Sequence, residues 1–157
     1  KFGIEFENAK WTRTILRGIL LTGYFYLIPL GLMYIMNEFN KYAEKNGLEC
    51  NYKTFNFIAK DNNKIVGIIN GHYYYDEVHI GDFIVVEKYR NQHIGTLLMK
   101  KVEELFQNED FDNYNLTTYE FQAPKFYEKI GYKLEYIRKN NKNPKLNKYF
   151  YSKSKRR

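Results

Sequence analysis

Apolar residues recur every three or four positions in two stretches, which is the spacing of one face of an α-helix. The first stretch is Leu32 to Lys45, which ends before Gly47, a residue type common after helix C-termini. The second stretch begins at Ile94 and places apolar residues at Ile94, Leu98, Val102, Leu105 and Phe106. A shorter helix is predicted at 123–131, because proline suits a first turn and glycine suits the end of a helix.

The apolar period changes to two from Tyr52 onward, which is the pattern of half-buried strands. Two strands are predicted around the turn 61–63, and a third follows the turn at 76–77. Further strands are predicted at 114–120, 132–139 and 148–153, with a short edge strand at 2–6. The order of these elements predicts a mixed α/β sandwich with helices on both faces of a central sheet.

The chain has 157 residues and an ordinary hydrophobic fraction of 44%, so we predict one domain covering 1–157. Cys50 is the only cysteine, which rules out an intrachain disulfide and favours a reducing, cytoplasmic location. One cysteine and three scattered histidines do not form a pattern of metal ligands, so no metal is predicted.

The formal net charge is +7, which makes acidic partners plausible: nucleic acid, a membrane surface or a phosphorylated small molecule. Part of the excess lies in the predicted basic tail, residues 152–157. The remaining lysines and arginines are dispersed, and no motif that reads DNA or RNA is present. Nucleic-acid binding is therefore kept only as an alternative hypothesis.

An uncharged run from Gly18 to Met36 is about as long as a membrane span. It is interrupted by Gly23, Pro29 and Gly31, and no small-residue cleavage site closes it. We interpret it as a buried or cleft-lining pair of helices, the first ending at Pro29, because proline clashes with the preceding turn. Membrane contact remains the alternative.

The connection between the third strand and the helix at Ile94 is polar and contains Arg90 and Thr96. The first amides of a helix have no acceptors within the helix, and the peptide dipoles add partial positive charge there. Such an end binds phosphate, and an arginine beside it strengthens the attraction. The alternative is an ordinary strand-to-helix connection with a solvated arginine.

Two motifs carry a family resemblance. The pattern Val-x-x-x-Tyr-Arg-x-x-His-x-Gly-Thr-x-Leu, residues 85–98, resembles motif A of the GNAT superfamily of N-acetyltransferases. The sequence APKFYEKIGY, residues 123–132, resembles the second signature of that superfamily. The resemblance covers about residues 32–151, leaves 1–31 poorly matched, and implies the GNAT fold, with a mixed, mostly antiparallel sheet.

The resemblance implies acetyl-CoA as cosubstrate. It implies that Arg90 and the backbone amides of the following turn bind the pyrophosphate, and that the end of the preceding strand binds the pantetheine arm by backbone hydrogen bonds. The residues implied in cofactor binding are Phe83, Ile84, Val85, Arg90, Asn91, Gln92, His93, Ile94, Gly95, Thr96 and Phe126. Two positions depart from the family: His93 replaces the first glycine, and Glu120 stands where many members have asparagine.

Three residues are candidates for catalysis. The resemblance implies that Tyr127 donates a proton to the CoA sulfur, and the alternative is a packing residue. His79, eleven residues before Arg90, lies where some members place a base, and imidazole changes charge near neutral pH. Its alternative is a surface histidine on a strand. Asp82 is a candidate only if a bulge turns it into the cleft, because Gly81 occupies the usual acidic position. Solvent alone is the remaining possibility for the base.

The first functional hypothesis is therefore an acetyl-CoA-dependent N-acetyltransferase that acts on a primary amine of a small molecule or a protein. The alternatives are a CoA-binding, catalytically inactive regulator and a basic nucleic-acid-binding module. A homodimer is possible.

Overall fold

The structure is a computed structural model that describes residues 4–8 and 27–155. The chain divides into two compact units: a sheet unit, Lys1–Asn8 with Tyr52–Arg157, and an N-terminal unit, Ala9–Asn51. The prediction of a single domain over 1–157 stays a prediction.

In the N-terminal unit, helix α1 covers Leu27–Lys45. Pro29 lies in its first turn, where the missing N–H has no intrahelical acceptor to lose. The prediction that Pro29 ends an earlier helix is wrong, because α1 runs through this position. Gly47 ends the helix with φ +73°, while the amides of Gly47 and Leu48 donate to the carbonyls of Glu44 and Ala43.

The apolar run 18–36 lies largely outside the described residues. Among the helices that the structure describes, none is long and apolar enough to cross a membrane.

The sheet unit contains seven strands within the described residues, and they form one sheet in the order β1-β2-β3-β4-β5-β7-β6. The strands are β1 Ile4–Asn8, β2 Lys53–Asp61, β3 Lys64–Tyr74, β4 Glu77–Val85, β5 Asn113–Tyr119, β6 Lys133–Arg138 and β7 Lys148–Ser154. Only the β4–β5 pairing is parallel; the other pairings are antiparallel. The predicted fold class, a mixed and mostly antiparallel sheet with helices, is confirmed.

The hairpin between β2 and β3 follows from its turn residues. Asn62 and Asn63 have φ values of 47° and 65°, and asparagine tolerates this left-handed conformation better than most residues. Their backbone twist matches the right-handed twist of the two strands, so the turn fixes the register of the hairpin.

The sheet has a packed face and a polar face. On the packed face, Tyr73, Val78 and Tyr114 lie side by side on β3, β4 and β5. Helix α2, Ile94–Leu105, covers this face through Leu98 and Val102, which are fully buried. Helix α3, Pro124–Lys129, joins the same face, where Tyr127 meets Tyr151 of β7 with ring centroids 6.0 Å apart.

The polar face carries the alternate side chains of the same strands. Its central members are Asn70, His72, Glu77, His79 and Asn115. This division places the packed core on one side of the sheet and the histidines and carboxylates of β3 and β4 on the other.

The predicted basic tail begins inside a strand, since β7 runs to Ser154. Lys153 forms an ion pair with Glu103 of α2, with Nζ and Oε1 2.6 Å apart.

Candidate active site

Strands β4 and β5 pair only over their first halves. The parallel register runs from Glu77↔Asn113 to Ile80↔Leu116, although both strands continue beyond it. A gap therefore opens between the carboxyl ends of two neighbouring strands. The amide of Val86 donates to Val66 of β3, and backbone directions alternate along a strand, so Phe83 and Val85 direct their backbone groups into the gap.

The gap begins at a β-bulge in β4. The register against β3 shifts between Ile69 and Gly71, so Gly81 and Asp82 together oppose Asn70. The Asn70 side chain stabilises the bulge by two hydrogen bonds. Its Oδ1 accepts a hydrogen bond from the Asp82 backbone amide at 2.9 Å, and its Nδ2 donates one to the Asp82 carboxylate at 3.1 Å. The bulge thus turns Asp82 to the polar face, which is the condition under which the sequence made it a candidate base.

The turn before α2 presents unpaired amides. The carbonyl of His93 accepts from Leu97, and within the described chain no backbone carbonyl accepts the amides of 91–96. The side chains of Asn91, Gln92, His93 and Thr96 are all exposed. These residues form the amide cradle, residues 91–96, which has the chemistry of an anion site at a helix N-terminus.

Two residues of the amide cradle have left-handed backbones: Asn91 with φ 61° and His93 with φ 62°. The left-handed region favours glycine, which is the residue that the resemblance implies at the position of His93. Because the imidazole of His93 is exposed, the replacement does not bury a ring in the cradle.

Arg90 lies at the junction of the gap and the amide cradle. Its Nε donates to the carbonyl of Val85 at 3.2 Å, which holds the guanidinium beside the end of β4. Gln92 is held in a similar way, since its Nε2 donates to the carbonyl of Lys88 at 3.1 Å. Both side chains therefore stabilise the turn through hydrogen bonds to its backbone. The unpaired amides lie at the surface of this turn.

Gly95 allows close packing behind the amide cradle. A Cβ at this position would lie 3.2 Å from the ring of Phe83 and 3.3 Å from the ring of Phe126. Those two rings are themselves in contact, with centroids 5.7 Å apart. The structure thus brings Phe83, Gly95 and Phe126 together, as the sequence predicted, while Ile84 is 60% exposed at the end of β4.

Tyr127 lies among aromatic rings between the gap and the core. Its ring is 6.4 Å from Phe83 and 6.0 Å from Tyr132, centroid to centroid, and the residue is 7% exposed. Burial raises the pKa of Tyr127 to about 12, so the phenol stays protonated at neutral pH. No described residue forms a hydrogen bond with its hydroxyl group, which leaves the proton available to a ligand.

His79 is oriented by two neighbours on the polar face. Its Nδ1 lies 2.5 Å from Oδ1 of Asn115, and Nδ2 of Asn115 donates to the carboxylate of Glu77 at 2.7 Å. An amide oxygen only accepts hydrogen bonds, so Nδ1 carries the proton and Nε2 keeps its lone pair in the neutral ring. This arrangement is suited to a general base that works through Nε2.

His72 lies beside His79, with ring centroids 5.1 Å apart. Burial, with a smaller contribution from the charge of His79, lowers the pKa of His72. Both rings line a pocket of about 440 Å³ on the polar face. We call this the polar-face pocket; its other lining residues are Tyr74, Tyr75, Asp76, Glu77 and Asn115.

Glu120, which stands where the resemblance implies asparagine, follows β5 directly. Its carboxylate accepts a hydrogen bond from the Tyr149 hydroxyl, which raises the pKa of that phenol. Glu120 is thus engaged with β7 in this structure.

Sequence reasoning missed Asn70, Glu77 and Asn115. A signal for Asn115 was present, because Asn113, Asn115 and Thr117 alternate with the buried Tyr114, Leu116 and Thr118. That alternation indicates a polar face, but it does not show which strand lies alongside. The partner of Glu77 is Asn115, 38 residues away, and depends in the same way on pairing between distant segments. Asn70 meets Asp82 across the neighbouring strands β3 and β4, so its contact depends on the register of that pair.

The family model of the acetyltransferase (GNAT) family matches residues 25–132. No curated protein matches the sequence.

Three solved structures illustrate the likeness. An acetyltransferase from Bacillus cereus has 24% identity and a TM-score of 0.67, covering 78% of this chain and 89% of its own. A GNAT family acetyltransferase from Elizabethkingia anophelis with acetyl-CoA bound has 19% identity and a TM-score of 0.62, covering 98% and 99%. The ribosomal-protein-S18-alanine N-acetyltransferase from Escherichia coli has 18% identity and a TM-score of 0.58, covering 65% and 69%. At these identities the likeness shows the fold.

Proposed function

The chain belongs to the GNAT family of acetyltransferases, and we propose that it transfers the acetyl group of acetyl-CoA directly to a primary amine of a small molecule or a protein. The observation that carries the proposal is the gap between β4 and β5, which opens directly beside the unpaired amides of residues 91–96. A diphosphate and an extended arm need these two features next to each other.

The described residues fit acetyl-CoA at three points. The amides of 91–96, with Arg90 beside them, offer donors and positive charge for the pyrophosphate. The backbone groups of Phe83 and Val85 face the gap, where they would hold the pantetheine arm like an added strand. Phe126 closes the apolar wall against Phe83. Acetyl-CoA supplies the acetyl group as an activated thioester.

Phe83 is proposed to polarise the acetyl carbonyl. Its amide follows the bulge and points into the gap, where it can donate to an oxygen that gains negative charge. The Asn70 side chain holds the bulge on the other side of β4, so this donor is positioned before a ligand binds.

His79 is proposed as the base that removes the proton of the acceptor. An alkylamine with a pKa of about 10.4 is mostly cationic at neutral pH, so it must lose a proton before it can react. Nε2 of His79 is the lone pair that can take that proton, directly or through water, because Asn115 fixes the proton on Nδ1. Asp82 is the second candidate for this role.

Tyr127 is proposed as the acid that protonates the departing thiolate. Its ring contacts Phe83, which lines the gap, and burial keeps the phenol neutral.

The test is release of free CoA thiol from acetyl-CoA by the purified protein with a panel of primary amines. We expect amine-dependent release, and a fall in kcat of about a hundredfold in His79→Gln if the imidazole is the base. Asp82→Asn serves as the matched variant on the same strand. A larger loss in Asp82→Asn than in His79→Gln would assign the base to Asp82.

Binding of acetyl-CoA without thiol release for any amine would contradict the proposal and favour the inactive regulator. The family membership favours both of these hypotheses over a nucleic-acid-binding module. Cytoplasmic location and a homodimer stay predictions.

A further inference from the structure

The polar-face pocket is acidic in a basic protein. Asp76 and Glu77 are the charged residues that line it, and no described lysine or arginine does, although the chain carries a net charge of +7. The Glu77 carboxylate accepts one hydrogen bond, from Asn115. A carboxylate can accept about four hydrogen bonds, so Glu77 can still accept others. Asp76 is exposed. The pocket therefore attracts cations.

Aromatic rings add to this attraction. Tyr52 stacks on His72 with centroids 5.4 Å apart, and the rings of Tyr74 and Tyr75 are 4.0 Å apart. The negative face of an aromatic ring attracts ammonium groups, and the neighbouring carboxylates act in the same direction.

A second pocket of the sheet unit has the opposite character. It measures about 220 Å³, and Arg138, Lys139 and Lys148 are among its lining residues. Anionic groups are therefore favoured in this second pocket and disfavoured in the polar-face pocket. The polar-face pocket is thus better suited to the amine acceptor than to the anionic cosubstrate.

We propose that the polar-face pocket selects an acceptor that carries a second cationic group besides the amine that reacts. This inference rests on the proposed acetyl transfer, with His79 beside the reacting nitrogen. Glu77 and His79 are alternate residues on one face of β4, so their Cα atoms lie roughly 7 Å apart. A flexible diamine with nitrogens at about this separation would place one nitrogen at His79 and the other between the carboxylates and the tyrosines.

The probes are 1,5-diaminopentane and 1-aminopentane, which share chain length and differ in the second charge. We expect kcat/KM for the diamine to exceed that for the monoamine by at least about fivefold, from ion pairing and cation–π contact together. In Asp76→Asn, the ratio of the two kcat/KM values should fall by about threefold or more. The backbone role of Asp76 survives this change, because its carbonyl accepts the Asp112 amide at 2.9 Å.

Glu135→Gln is the control variant. It removes one exposed carboxylate on β6, outside the pocket lining, so it changes the net charge equally. We expect the diamine-to-monoamine ratio in this variant to equal that of the unmodified protein. A fall as large as in Asp76→Asn would show a general charge effect and overturn the proposal.

Binding is measured separately, so that the inference is tested even without turnover. The chemical shifts of the His72 and His79 imidazoles are followed by NMR as each amine is added. A lower Kd for the diamine supports the inference. Equal Kd and equal kcat/KM for the two amines would overturn it while leaving acetyl transfer intact. Absence of turnover with all amines would overturn the proposed function, and the acceptor role of the pocket with it, even where the diamine binds more tightly.

Discussion

At the scale of single residues, the hydroxyl of Tyr127 separates a catalytic role from a packing role. The ring packs against Phe83, Tyr132 and Tyr151, and phenylalanine would preserve those contacts. Tyr127→Phe should therefore lower kcat for acetyl transfer by about tenfold to a hundredfold, with little change in KM for acetyl-CoA. Steady-state kinetics measures both.

Tyr132→Phe is the matched control. Its hydroxyl is buried and has no hydrogen-bond partner among the described residues, so its removal should leave kcat unchanged and raise the free energy of unfolding by about 1 kcal/mol. Normal turnover in Tyr127→Phe would remove Tyr127 from the acid role.

His93 is a residue whose backbone conformation favours glycine. Its φ of 62° brings the Cβ into conflict with the peptide that follows, which costs an ordinary residue about 1 kcal/mol. His93→Gly should therefore raise the melting temperature by about 2–4 °C, and it should lower the Kd for CoA if the side chain crowds the pyrophosphate. Thermal unfolding and calorimetric titration with CoA measure the two effects.

Asn91→Gly is the comparison for His93→Gly. Asn91 has nearly the same φ, 61°, but asparagine adopts the left-handed region more readily, so the gain in stability should be smaller. Equal gains in stability for the two variants would mean that the left-handed backbone conformation, and not the histidine side chain, accounts for the whole stabilisation by His93→Gly.

At the scale of elements, the bulge of β4 depends on one side chain. Asn70 holds Asp82 by two hydrogen bonds, one to its amide and one to its carboxylate. Asn70→Ala should destabilise the fold by about 1–2 kcal/mol and lower kcat/KM by about tenfold, because the Phe83 amide loses its fixed direction. Urea unfolding and steady-state kinetics are the measurements.

A variant in another turn distinguishes lost stability from lost positioning. Asn140 accepts the amides of Lys142 and Asn143 in the connection between β6 and β7. Asn140→Ala should lower stability by a similar amount and leave kcat/KM unchanged. If both variants lose activity equally, the bulge has no special role in positioning.

Elements with local causes were predictable from the sequence. The two asparagines between β2 and β3 and Gly131 after α3, with φ 92°, determine their turns through neighbouring residues alone. The amide cradle was predictable for the same reason, because the motif that contains it, residues 85–98, is contiguous in the sequence. The contact between His79 and Asn115 was not, because residues 36 positions apart meet only after β4 and β5 have paired. The bulge was also not predictable as a fact, because it depends on the register in which β3 and β4 pair.

At the scale of the whole molecule, charge is distributed unevenly. Arg90 lies beside the unpaired amides, whereas Asp76 and Glu77 line the polar-face pocket. Anionic and cationic ligands are thus attracted to different parts of the sheet unit, as the proposed cosubstrate and the proposed acceptor require. The net charge of +7 alone suggests acidic partners and does not reveal the acidic pocket.

Alkaline pH should destabilise the fold through its buried tyrosines. Burial raises the pKa of Tyr127 to about 12 and also raises the pKa of Tyr132, while an unfolded tyrosine titrates near 10. Above pH 10 the unfolded chain therefore binds fewer protons than the folded chain, so the free energy of unfolding falls as pH rises. For Tyr127 alone, the difference between a pKa near 10 in the unfolded chain and about 12 in the folded chain corresponds to roughly 2–3 kcal/mol, lost between about pH 10 and 12.

Urea unfolding from pH 8 to 11.5 measures this decline, and Tyr132→Phe isolates the tyrosine contribution from that of the lysines. Lysine side chains in general lose their charge in the same range, but the two proteins contain the same lysines. The variant lacks one of the buried phenols, so its stability should fall less steeply above pH 10. Parallel curves for the two proteins would show that the phenol of Tyr132 ionises as readily in the folded state as in the unfolded state.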